Sequence, residues 1–354
     1  MAACLALRPS LACGWISSYD FLLRNHRAIK ALSGKVKRKT LGSMEPMKYI
    51  LPPTRLMPEV VSQLHNLPAT ECHFDGKLLR HPADTFAQVF LGLLESGIQL
   101  CRDHRQALET SEDAPDAVAV DKGLLRSLRA FHTSLGDYVN ACRSVIYYAR
   151  TKDEANKGNQ DFKAAANPYY DHVTKVDNFI KHQQRALRTV YAAWPQGQII
   201  GYQVEGPINV GTVGAERLIH RYAGTAFSLN RALKYHACHI YLMASALQTV
   251  LKLPKPDEQP SAHEHGRLAA TFLDLVAEIP MLFFPDELSE DVPLVKKRSD
   301  GAFLLECPSS EKPANRKAHE MTLNFRSEVS PHAPSVEMPY LGTERPWDRK
   351  TSRR

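Results

Sequence analysis

The sequence predicts a mainly α-helical fold: a helical bundle of about five long helices, an inserted β-hairpin, and a small irregular α+β C-terminal extension. Three observations predict it. Apolar residues recur at intervals of three and four over long stretches. Specific start signals precede several of them. One short segment switches to β-branched residues punctuated by glycine.

The elements follow in order. Residues 44–67 are proline-punctuated and read as an irregular lead-in, and a helical domain over 68–280 comes next. Its first helix fits 84–108, with Phe86, Val89, Phe90, Leu93, Leu94, Ile98 and Cys101 along one side. Beyond the acidic loop 110–116, Leu124, Leu128, Phe131, Leu135, Tyr138, Cys142 and Val145 mark a second helix ending near Arg150. Lys152 to Asn167 is polar and reads as a loop. Asn167-Pro168 is a start signal, because Asn caps a helix and Pro suits its first position. The third helix is therefore expected to run to about Val190, ended by Trp194-Pro195-Gln196-Gly197. Residues 198–213 read as two strands around a Glu205-Gly206-Pro207 turn. A fourth helix covers 227–252, and the Ser261-x-x-Glu264 capping box opens a fifth that ends near Glu278. The extension, 281–326, holds a hairpin around Arg298-Ser299-Asp300-Gly301 and a strand near 321–325. Residues 327–354 are polar, proline-rich and read as a disordered tail.

Charge excludes one class and leaves another open. The chain has 354 residues and a net charge of +7. Residues 1–43 carry eight Lys or Arg and only Asp20 as an acid, so this leader holds all of the excess. From Met44 onward acids and bases balance, and the pI of about 9.0 implies no basic nucleic-acid surface on the body. The leader has three readings: an untranslated segment ahead of a start at Met44, a disordered basic arm, or a targeting peptide. No apolar run approaches the ~18 residues of a membrane span. Seven scattered cysteines without a CxxC pair imply neither a disulfide framework nor a zinc site. A soluble, cytoplasmic protein is expected, with no metal and no cofactor.

Four patterns bear on chemistry. Gly206 to Val213 has the outer spacing of a phosphate-binding loop, but Thr212 stands where the essential Lys belongs. His236 and His239, three apart, could share a metal with His263 and His265, yet His236 also falls on the apolar face with Leu229, Leu233, Ile240 and Leu247. On the third helix Asp171, Lys175, Asn178, His182 and Arg185 form a polar stripe. It lines a groove with His182 as acid/base and Arg185 for an anion, or it is a solvated face with an Asp171–Lys175 pair.

The fourth pattern is Arg231-Ala232-Leu233-Lys234-Tyr235-His236, with Arg126 to His132 on another helix. An Arg followed after four to six residues by His resembles the HEPN-type ribonucleases. That resemblance covers six residues and implies a helical, metal-independent, RNA-cutting dimer with Arg231 and His236 catalytic, joined here by His182 and Arg185.

Two functions follow. One is a non-catalytic interaction or scaffold protein, with a protein partner or self-association through its helices. The alternative is a HEPN-like ribonuclease or other nucleic-acid-processing protein, reaching nucleic acid through the basic leader or a helical groove.

Overall fold

A computed structural model describes residues 47–67, 81–110, 116–148, 152–194, 197–209, 212–220, 226–252, 263–284, 287, 292–307, 322–324 and 335–336. The basic leader, Ser261 of the capping box and nearly all of the expected tail lie outside the described residues. The fold is mainly α-helical with two small sheets.

Seven helices occur among the described residues: α1 (Glu59–His65), α2 (Pro82–Glu109), α3 (Ala117–Tyr148), α4 (Lys152–Ala166), α5 (Tyr169–Lys181), α6 (Leu229–Leu251) and α7 (His263–Glu278). The helix α2 starts where Pro82 takes the first position and the His81 side chain accepts from the Ala83 N–H. All seven apolar positions predicted for α3 are buried. There α3 meets α2, with the Tyr138 ring 5.6 Å from Phe86 and 5.9 Å from Phe90. The Tyr138 hydroxyl continues inward to donate to the Ile240 carbonyl at 3.0 Å, tying α3 to α6. Gly97 lets the Phe272 ring of α7 approach α2, since a Cβ there would stand 2.6 Å from it.

A three-stranded antiparallel sheet is ordered β1 (Met47–Leu51), β7 (Phe303–Cys307), β6 (Leu294–Lys297). The hairpin expected at Arg298–Gly301 joins β6 to β7, with Gly301 at φ 80°. The larger sheet is ordered β8 (Thr322–Asn324), β2 (Leu187–Trp194), β3 (Gly197–Asn209), β4 (Thr212–Ala215), β9 (Ser335–Val336), and β5 (Phe227–Ser228) also pairs with β3.

Three sequence expectations are corrected here. The stretch read as a polar loop, Lys152 to Asn167, forms α4 over most of its length. Its buried stripe is narrow, Ala155, Gly158, Phe162 and Ala166, on an otherwise charged helix. The third helix stops at Lys181 rather than Val190, and the chain leaves it through Gln184 at φ 52°. The residues beyond it form β2, and Thr189, Val190, Tyr191 and Ala192 are all buried, so the strand is covered on both faces. Such a strand shows no period of two. The expected turn at 205–207 is instead continuous strand. β2 pairs with β3 from Leu187↔Val204 to Trp194↔Gly197, and β3 runs on past Pro207 to pair with β4 across a bulge. Pro207 is tolerated there because a bulge relieves it of donating to the ladder.

Candidate functional site

The ionisable residues that converge do so around a buried centre, with His132, Tyr169 and His236 buried and His172, Arg231, Tyr235 and His239 half-buried. α3 contributes His132, α5 contributes Tyr169 and His172, and α6 contributes Arg231, Tyr235, His236 and His239. Tyr202 of β3, Phe227 of β5 and His220 after β4 close the other side. The result is one continuous block of imidazole and aromatic rings. His236 lies 5.7 Å from His132 and 6.2 Å from His172, centroid to centroid. His132 stands edge-on to Tyr202 at 5.2 Å, and His220 stacks on Phe227 at 4.5 Å. His239 packs against Tyr169 at 4.6 Å and Tyr235 at 4.0 Å, two rings that also meet each other at 5.5 Å.

Hydrogen bonds fix several rings. His236 Nδ1 and the Tyr169 hydroxyl share a 3.0 Å bond. His239 Nδ1 donates to the Tyr235 carbonyl at 2.8 Å, and His220 Nε2 accepts from the Val204 N–H at 3.0 Å. The Nε2 of His132 has no partner among the described residues.

Burial disfavours charge on these groups. It pushes His132 and His220 down to about 3, each further opposed by His172. Burial likewise lowers His172 to about 4, with His239, Lys175 and Arg231 adding to it. His239 falls to about 4, and His236 falls well below the ordinary histidine range. The Tyr169 phenol is pushed up by burial and stays protonated. At neutral pH the block is uncharged, with Arg231 as the cation at its edge.

The four residues predicted to carry catalysis are not assembled. His236 is 2% exposed, and the space it shares with Leu100, Phe131, His132, Tyr202 and Leu233 does not admit a water molecule. Arg231 and His236 stand five positions apart, about 140° around the helix. Arg231 is half-buried at the start of α6, its guanidinium 5.9 Å from the Tyr235 ring. His182 is the exposed C-cap of α5, and Arg185 lies beyond the helix, half-buried. From Tyr169, which touches His236, to His182 is thirteen residues of helix, roughly 20 Å. The polar stripe thus breaks at Lys181, and Asp171 pairs with Lys163 of α4 at 3.2 Å rather than with Lys175.

Sequence reasoning missed the block itself. His132 and His239 had appeared only as halves of other pairs, while His172, His220 and Tyr235 carried no spacing signal. They meet because four separate segments pack together. Among the described residues no group of three or more His, Cys, Asp or Glu is placed to hold a metal ion. No described helix is long and apolar enough to cross a membrane. No family model matches the chain, and neither a curated protein nor a solved structure matches it.

Proposed function

We propose that this is a non-catalytic interaction or scaffold protein, its long helices forming a bundle whose outer faces meet a protein partner or a second copy. The observation that supports this is the state of His236. A general base must reach the proton it abstracts. This imidazole is 2% exposed and committed to the Tyr169 hydroxyl, so it serves packing. Single exposed apolar side chains, Val118 on α3, Leu218 after β4 and Met281 after α7, offer places to test contact.

The alternative, a HEPN-like ribonuclease or other nucleic-acid-processing protein, draws its support from Arg231, a half-buried cation beside an aromatic ring on a helix. One pair of measurements separates the two. The full chain is incubated with end-labelled RNA, as wild type and as Arg231→Ala. Sedimentation velocity on wild type and Leu218→Glu then reads self-association. The interaction reading expects no cleavage, and an association that surface substitution weakens. RNA cleavage by wild type that Arg231→Ala abolishes would overturn it in favour of the nuclease.

A further inference from the structure

The three-stranded sheet has two outer strands, and they differ. β6 carries Lys296 and Lys297, both exposed, within four residues, and such charges deter a further strand. β1 has five residues, and on it Ile50 is 57% exposed. Among the described residues no strand lies along the outer side of β1. The hairpin between β6 and β7 fixes where its backbone groups point. The Arg298 N–H donates to the Ala302 carbonyl at 2.8 Å, so by alternation Leu304 and Glu306 of β7 bond to β6. Phe303, Leu305 and Cys307 then bond to Leu51, Tyr49 and Met47 of β1. The N–H and C=O groups of Lys48 and Ile50 are therefore the ones that point away from the sheet.

We propose that this edge pairs with the same edge of a second copy, β1 running antiparallel to its counterpart across a two-fold axis at Tyr49, so that the two small sheets become one. In that register Lys48 of each copy lies opposite Ile50 of the other. The two residues whose backbone groups point outward thus exchange both N–H···O=C bonds, and symmetry repeats the exchange. Tyr49 meets Tyr49 as a non-hydrogen-bonded pair, the closer of the two kinds.

Charge and proline select this register over its neighbours. An axis at Lys48 would set the two lysines directly opposite each other, which is unfavourable. An axis at Ile50 would set Lys48 opposite Pro52, which has no N–H to give. With the axis at Tyr49 neither conflict arises. Each Lys48 ammonium is already held by Glu306 of its own copy at 2.9 Å, and its alkyl stem covers the Ile50 that the single chain leaves exposed. Five-residue edges bury less surface than a permanent dimer needs, so the association is weak and rises with concentration. It uses a sheet edge and does not depend on the helical faces considered above.

Sedimentation velocity on the full chain, from micromolar to millimolar concentration, tests this, and a monomer–dimer equilibrium is expected. Ile50→Lys places lysines opposite each other at two symmetric positions and should weaken the dimer about tenfold. Ile50→Glu sets a carboxylate opposite Lys48 of the other copy and should keep the association. Ile50→Pro removes only an outward N–H, which an edge strand tolerates, so circular dichroism should stay unchanged while the dimer is lost. Tyr49→Cys, under a mild oxidant, should link to itself in a peptide recovered as a symmetric pair. If a variant fails to fold, hydrogen exchange on the wild type decides: the Lys48 and Ile50 amides should slow as concentration rises. A chain that stays monomeric to millimolar concentration would overturn the proposal. So would a dimer that Leu218→Glu weakens and Ile50→Lys leaves intact, or amides at 48 and 50 that exchange alike at every concentration.

Discussion

Tyr169 and His236 are both buried and satisfy each other through one hydrogen bond, and that decides how each substitution behaves. In Tyr169→Phe the His236 Nδ1 is left buried without a partner, an arrangement that costs about 1–3 kcal/mol. Urea unfolding should show this as a lower midpoint with an unchanged slope, and an unchanged midpoint would mean that the bond contributes nothing. Lys234 behaves differently, because its long alkyl stem lies in the core while its ammonium caps the Val276 carbonyl. Lys234→Met keeps the stem and removes a buried charge, so it should cost less than Lys234→Ala, which also opens a cavity. The same denaturation experiment ranks the two, and an equal loss would show that the ammonium bond dominates. At this scale the sequence was half legible. The apolar spacing around His236 pointed to a core histidine, which the burial shows. That His132, His172, His220 and His239 would join it was unreadable, because packing brings them together and spacing does not.

Elements were legible where one face alone is apolar. α2, α3 and α6 bury wide stripes and read clearly at a period near 3.6. Two elements failed for opposite reasons: β2 is buried on both faces, so its alternation vanishes, and α4 buries so little that its composition reads as loop. The stripe of α4 can be tested. Phe162 is fully buried, and its ring meets Tyr170 of α5 edge-on at 6.2 Å. Phe162→Ala should therefore destabilise the protein by about 3–5 kcal/mol. By contrast, Lys157→Ala on the exposed side of the same helix should fall within about 0.5 kcal/mol of wild type. If both behave alike in thermal unfolding, α4 is not packed as a helix on its neighbours.

For the whole molecule the imidazoles act together on stability. Six histidines, His104, His132, His172, His220, His236 and His239, have folded pKa values driven by burial well below the ordinary 6.5. The sign follows from which state binds protons. In the unfolded chain each takes up its proton as pH falls through about 6.5, while in the folded chain His104, His132, His172, His220 and His239 stay neutral until pH approaches 4 or lower, and burial holds His236 neutral below its ordinary range as well. Acid therefore favours the unfolded state throughout that window. Each group contributes about 1.4 kcal/mol per pH unit once its unfolded form is titrated, so six give a slope of about 8 kcal/mol per pH unit. A domain stable by about 5–15 kcal/mol cannot persist far into such a window. Circular dichroism at 222 nm should show cooperative acid unfolding with a midpoint between about pH 4.5 and 5.5, before most carboxylates titrate. His104 offers the control. It is buried apart from the ring block and its Nε2 lacks a partner among the described residues, so His104→Leu removes one proton from the linkage without disturbing the other rings. That variant should unfold at lower pH than wild type and be at least as stable at pH 7.5. Stability that stays flat from pH 7 to 5 would show that these imidazoles reach solvent, and with it the sealed position of His236 would be lost.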